Sequence, residues 1–119
     1  MADIEIIAAY ASVVEDDEDG FLFIGFAEGE EEDEPYALFR QPIAGGPVWF
    51  EVSDESFGAE DAVDSVTVTP EGLLITLNPA ASAQFGWART ISVGMGPDCE
   101  DGAQAITALR EMMAGRMTG

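Results

Sequence analysis

The chain has 119 residues, with 24 carboxylates against four arginines, no lysine and no histidine, and a formal net charge of -20 at pH 7. A charge of that sign repels nucleic acids and anionic membranes, and the missing residue types exclude Ser-His or Cys-His couples, imidazole metal sites, Schiff bases and phosphate-loop lysines. An apolar fraction of 47%, with seven Phe, two Tyr and two Trp, supplies a core, so residues 1–119 are expected to fold as a single domain rather than remain disordered.

In chain order, Ile4, Ile6, Ala8, Tyr10, Ser12 and Val14 fall on alternate positions, the pattern of a long strand with one largely apolar face. Residues 21–27 are apolar at both parities, as in a central strand covered on both sides. Two further strands, 36–40 and 48–52, flank a breaker from Pro42 to Pro47 that contains Gly45-Gly46. A Val/Thr-rich strand at 63–69 turns through Pro70-Glu71-Gly72 into 73–77. Asn78-Pro79 reads as the cap of a short helical turn ending at Gly86, and 87–95 as a last strand. From a cap at Asp98, the residues Ala105, Ile106, Leu109, Met112 and Met113 form one helical stripe, with Met117 finishing its core side and Gly115 ending the segment. The fold class expected is α+β: a predominantly antiparallel β-sheet of about seven strands with a C-terminal helix packed on one face.

The charge is unevenly placed along the chain. Residues 1–64 hold 19 carboxylates and one base, Arg40, a net of -18; residues 65–119 hold five carboxylates and three arginines, a net of -2. Two dense runs, 15–19 and 28–34, and a looser group of Asp54, Glu55, Glu60, Asp61 and Asp64 account for most of it. If the strands meander, the connections at 28–34 and 53–61 emerge at one end of the sheet and 15–19 at the other.

Several chemistries fail on spacing. An EF-hand register starting at Glu15 matches at Asp17, Asp19 and Gly20, but position 12 is Phe26 where a bidentate Glu is required. Only weak divalent binding to the acidic runs is expected, and no dedicated metal site. Glycosidase-type carboxylate pairs need unequal environments; Glu51, beside Trp49 and Phe50, comes nearest and reads as the polar face of a strand. Cys99 lies among Asp98, Glu100 and Asp101, which oppose a thiolate, and Ser56, Ser65 and Ser92 have no base. No enzyme, catalytic residue or cofactor is expected. A lone cysteine suits a reducing compartment, and the start of the chain lacks the basic region of a signal peptide, so a cytoplasmic location is expected.

Concentrated like charge costs stability through self-repulsion, which a cationic partner would relieve. The reading is a non-enzymatic acidic binding protein whose partner is a basic protein. Glu30, Glu31, Glu32, Asp33 and Glu34 would supply the field, with Asp54, Glu55 and Glu60 alongside and Trp49 and Phe57 as apolar contacts. The alternative is a stand-alone structural or regulatory domain whose acidity serves solubility or a saline milieu. An uncovered sheet edge would also offer a route to a homodimer.

The order of segments carries a resemblance. An acidic turn precedes Gly20-Phe21-Leu22-Phe23-Ile24-Gly25-Phe26-Ala27-Glu28, an acidic loop leads to Tyr36-Ala37-Leu38-Phe39-Arg40-Gln41, and 63–77 is followed by an alanine-rich turn, a strand and a helix with Leu109. This resembles the immunity protein 10 family of small acidic bacterial immunity proteins found beside polymorphic toxins. The resemblance runs over nearly the whole chain and implies a mostly β fold, neutralisation of a cognate toxin and no cofactor; the charge reading makes a toxin such as a nuclease, with its phosphate-binding cations, the expected basic partner.

Overall fold

The computed structural model describes residues 2–29, 34–54 and 56–119, apart from the side chains of Pro97, Asp98 and Glu100. Among the described residues are β1 (Ile4–Asp16), β2 (Phe21–Ala27), β3 (Tyr36–Pro42), β4 (Trp49–Val52), β5 (Gly58–Glu60), β6 (Val63–Thr69), β7 (Gly72–Leu77), β8 (Thr90–Glu100), α1 (Gly102–Met112) and β9 (Met117–Thr118). They form one mixed sheet in the order β5-β4-β3-β2-β1-β8-β7-β6-β9. Most pairings are antiparallel, but β1–β8 and β6–β9 are parallel. The expected α+β class and C-terminal helix hold. The expected seven strands miss β5 and β9, which are too short to show a period.

The sheet is rolled. β5 and β6 lie at sheet positions separated by six other strands, a span of roughly 34 Å if flat. Yet only Asp61 and Ala62 join them, and three Cα steps reach at most about 11 Å. Hydrogen bonds from Asp61 N to the Val48 carbonyl and from Asn78 N to the Ala62 carbonyl close this seam, and the molecule measures 36 × 34 × 30 Å. Inside the roll, Ala105, Leu109 and Met113 at four-residue spacing set one stripe of α1 against β1 and β2. Phe26, Phe39, Phe50 and Phe85 form a chain of buried rings with successive centroids 6.5, 4.7 and 5.8 Å apart.

Several sequence expectations are corrected. β1 does not alternate throughout: its register against β8 shifts between Ala8 and Tyr10. Ile6 and Ala8 point inward before the bulge and Ala11 after it, whereas Tyr10, Ser12 and Val14 are exposed. β2 is internal to the sheet, but Phe21 and Phe23 stay half-exposed rather than covered. The last strand starts at Thr90, not Trp87, and runs to Glu100; α1 follows a left-handed Asp101 instead of a cap at Asp98. Met117 belongs to β9, not to the helix. The short helical turn and its stop at left-handed Gly86 are as expected, but it is a 3₁₀ turn, Ser82–Phe85, that begins after Ala81 rather than at Pro79; Asn78 Oδ1 instead accepts the Ala80 and Ala81 N–H groups of the turn before it. At Gly72 an added Cβ would lie 2.0 Å from the Val93 carbonyl oxygen, so the β6–β7 turn needs glycine to let β7 meet β8.

Asp3 ties the parallel pair together at its start. Its Oδ2 accepts N–H bonds from Arg89 at 2.8 Å and Thr90 at 3.3 Å. The Arg89 bond, then that of Thr90, holds this carboxyl below the usual aspartate range. A depressed folded pKa contributes stability that is complete above the unfolded value, near ~3.9, and is lost as pH falls through the folded value. The gap in urea midpoint between wild type and Asp3→Asn is therefore expected to narrow below about pH 4. A gap that is unchanged through that range would show that the carboxylate form contributes nothing.

Candidate functional site

Topology gathers connections at one end of the sheet. β1 and β8 are parallel, so the start of β8 lies at the start of β1; β2 runs against β1, and the β2–β3 connection returns at that same end. The β4–β5 turn joins it, because Ser53 N donates to the Tyr36 carbonyl and Tyr36 N to Ser53 Oγ. The 28–34 connection is pinned at its base by Glu28 N to the Pro35 carbonyl at 3.0 Å. The β1–β2 turn is at the other end, where Gly20 O accepts the N–H of Ile43. Of the expected arrangement, the described ends of 28–34 and the start of 53–61 lie at one end with 15–19 opposite, but 53–61 is not one loop: β5 takes up 58–60 and carries Asp61 to the other end, beside Val48.

At the first end, Asp54 orders the β4–β5 turn. Its Oδ1 accepts both the N–H and the hydroxyl of Ser56 at 2.8 Å. These bonds, the backbone one first, hold its carboxyl below the usual range. Glu28 is partly committed to the fold, its Oε2 accepting the Ile7 N–H at 2.9 Å. Phe57 is 40% exposed, and an added Cβ on Gly86 would lie 3.5 Å from its ring.

That contact brings in a residue the sequence reading assigned to a strand. Trp87 is 76% exposed and has φ +69, in the left-handed region that bulky side chains avoid. Phe85 and Ala88 on either side are buried. Trp87 N donates to the Ser82 carbonyl at 2.9 Å, so two consecutive left-handed residues turn the indole outward between two anchored neighbours.

The other expected site residues stand elsewhere. Trp49 and Glu60 pair with each other across β4–β5, at the start of β4 and the end of β5, with their backbones at the end of these strands opposite the β4–β5 turn. The Trp49 ring lies against Gly58, where an added Cβ would sit 2.4 Å from it. The Arg40 guanidinium is 5.1 Å from the ring centroids of both Trp49 and Phe21, a cation–π cluster on the outer face of the sheet. Glu51 is not the solvated strand residue expected: it is buried, accepting hydrogen bonds from Trp49 Nε1 at 2.7 Å and from Tyr36 Oη. A buried carboxylate with two donors is satisfied as a structural group. A shallow apolar depression of about 230 Å³ around Gly25, lined by Tyr10, Ser12, Ala27, Tyr36 and Leu38, completes the outer face.

Thus Glu34, Asp54 and Phe57 share the acidic end with Trp87, Glu60 does not, and Trp49 starts from the opposite end with its ring reaching back to Gly58. Glu30, Glu31, Glu32, Asp33 and Glu55 lie outside the described residues. In the β1–β2 turn, Asp16 Oδ1 caps the N–H groups of Glu18 and Asp19, and β2 follows where an EF-hand would need a helix. Among the described residues, no group of three or more Cys, Asp and Glu is arranged to hold a metal ion. No described helix is long and apolar enough to cross a membrane. Compared with protein-family models, curated proteins and solved structures, the chain matches none of them.

Proposed function

We propose that this protein is a non-enzymatic binding protein that docks a basic protein against the end of the sheet carrying the 28–34 connection and the β4–β5 turn. In this reading it neutralises a toxin, such as a nuclease whose phosphate-binding cations meet carboxylates in place of phosphate. The resemblance to the immunity protein 10 family implies the same class of partner.

The observation that carries the reading is the path of the chain through the sheet. The strands between residues 4 and 60 form one contiguous half of the sheet, β5 to β1, and residues 4–60 hold 16 carboxylates and one arginine, -15 of the -20 net charges. The field therefore belongs to one side of the molecule, though to both ends of that side rather than to a single pole. A general adaptation to solubility or a saline milieu would spread carboxylates over all exposed strands and loops, and this concentration counts against it. Edge strands of three and two residues offer few free backbone groups, so a sheet-edge homodimer is not part of the proposal.

Solvated carboxylates at the rim would set the encounter rate, and apolar contacts at the centre would set dissociation. The test is calorimetric titration with the purified product of the adjacent reading frame, over a salt series. A basic domain that binds one to one, with affinity falling as salt rises, is the expected result. A neighbour with no basic domain, or a basic domain that does not bind, would overturn the toxin-neutraliser reading.

A further inference from the structure

We infer that Trp87 is the anchor this end of the molecule inserts into its partner, and that the partner segment it receives presents an apolar side chain among Arg or Lys residues. The inference rests on the docking reading above and assigns the contact that holds the complex together.

Four observations converge on Trp87. It is the most exposed large apolar side chain among the described residues, at 76%. Its backbone is left-handed, a conformation that costs an L-residue energy and that glycine would adopt without strain. The Gly86 and Trp87 N–H groups donate to the Ser82 carbonyl and that of Ala88 to the Phe85 carbonyl, so the backbone that carries the indole is held on both sides rather than left as a loose tether. Phe57, itself partly exposed, lies beside Gly86, the residue before Trp87. Strain of this kind persists where the surrounding structure over-determines it, and it gathers at functional positions. Rigid aromatic anchors are the residue type that dominates interface energetics.

Charge decides what covers the two rings. The β4–β5 turn brings Asp54, and the 28–34 connection emerges at the same end with Glu28 and Glu34 at its described margins. Arg89, two residues from Trp87, is the opposing charge, and its Nε is directed to the Leu77 carbonyl. An acidic or purely apolar segment would meet repulsion or strip solvent from these carboxylates, whereas a basic segment with an apolar side chain satisfies both the rings and their rim.

Random short peptides displayed on phage and selected on the immobilised full-length protein test this without a known partner. The enriched peptides are synthesised and titrated against wild type, Trp87→Gly and, as a second replacement that tolerates the left-handed conformation, Trp87→Asn. The expected result is enrichment of peptides that combine Arg or Lys with an apolar residue. Binding should weaken at least about 30-fold in both variants. The folded-to-unfolded ratio of Trp87→Gly should rise, roughly fivefold, as strain is relieved. Basic peptides that bind both variants as well as wild type would overturn the role of Trp87 and leave the docking reading standing. The same holds for peptides lost only on Leu38→Ser, in the outer-face depression. Enriched peptides without basic residues, or no enrichment at all, would overturn the docking reading itself.

Discussion

Replacing Phe50 with Ala is expected to cost about 3–5 kcal/mol of folding free energy, the range for truncating a large buried aromatic. Phe50 has no exposed surface and lies between Phe39, at 4.7 Å, and Phe85, at 5.8 Å. It sits on the four-residue strand β4, and Phe85 comes from the turn that joins β7 to β8. The ring therefore links the two halves of the rolled sheet near the seam, where few backbone hydrogen bonds do so. A cavity there cannot be filled by a shift of one strand without loosening the others. Domains of this size have about 5–15 kcal/mol in total, so the variant should unfold at markedly lower urea. Phe21→Ala, half-exposed on the outer face, is the control and should cost distinctly less. Equal midpoints for the two variants would show that the ring chain does not hold the halves together.

The strands that could be read from sequence were those with enough residues to show a period. β2, β3, β6 and β7 fall where the apolar and Val/Thr-rich runs, the Pro42–Pro47 breaker and the Pro-Glu-Gly turn place them. The helix stripe from Ala105 to Met113 was equally legible, because five apolar positions at helical spacing have no other use in a chain this acidic. The bulge in β1 was not. Ala8-Ala9-Tyr10-Ala11 carries small residues at both parities, so nothing marks where one residue slips. Nor does periodicity name a strand's neighbour: the parallel pairing of β1 with β8 joins residues almost ninety apart in sequence, and it is this pairing that closes the order of the sheet.

The site was legible in charge and not in shape. Which loops share an end followed from antiparallel connectivity, and the β1–β5 meander bears that out. Glu60 misleads because β5 carries it away from the turn, back alongside Trp49. Trp87 was hidden by parity. Extending the alternation of the buried residues Ile91 and Val93 backwards puts Trp87 on the inner face. The second left-handed residue after Gly86 reverses that. The one available signal is that Gly86 ends a helical turn with a large aromatic immediately after it, where a stop residue leaves the chain's direction open.

Placement of charge, rather than its amount, is what the kinetics of association should report. Replacing Glu30, Glu31, Glu32 and Glu34 with Gln and Asp33 with Asn removes five charges from the 28–34 connection. Electrostatic steering accelerates encounter by factors of roughly 10–1,000 at low salt, so the association rate with the basic partner should fall on the order of tenfold or more and lose much of its salt dependence. Dissociation should change little, because charges that remain hydrated at a rim act mainly before contact. Trp87→Gly should do the reverse, speeding dissociation while leaving the encounter rate nearly intact. Neutralising Glu15, Asp16, Asp17, Glu18 and Asp19 is the matching control. It removes the same five charges, but from the β1–β2 turn at the other end of the same strands. Beyond a screening length of about 10 Å at moderate salt, those carboxylates contribute little to a partner approaching the first end. Stopped-flow rates that fall equally for the two loops would show that total charge alone draws the partner in, and the acidic end would then have no claim to being the docking site.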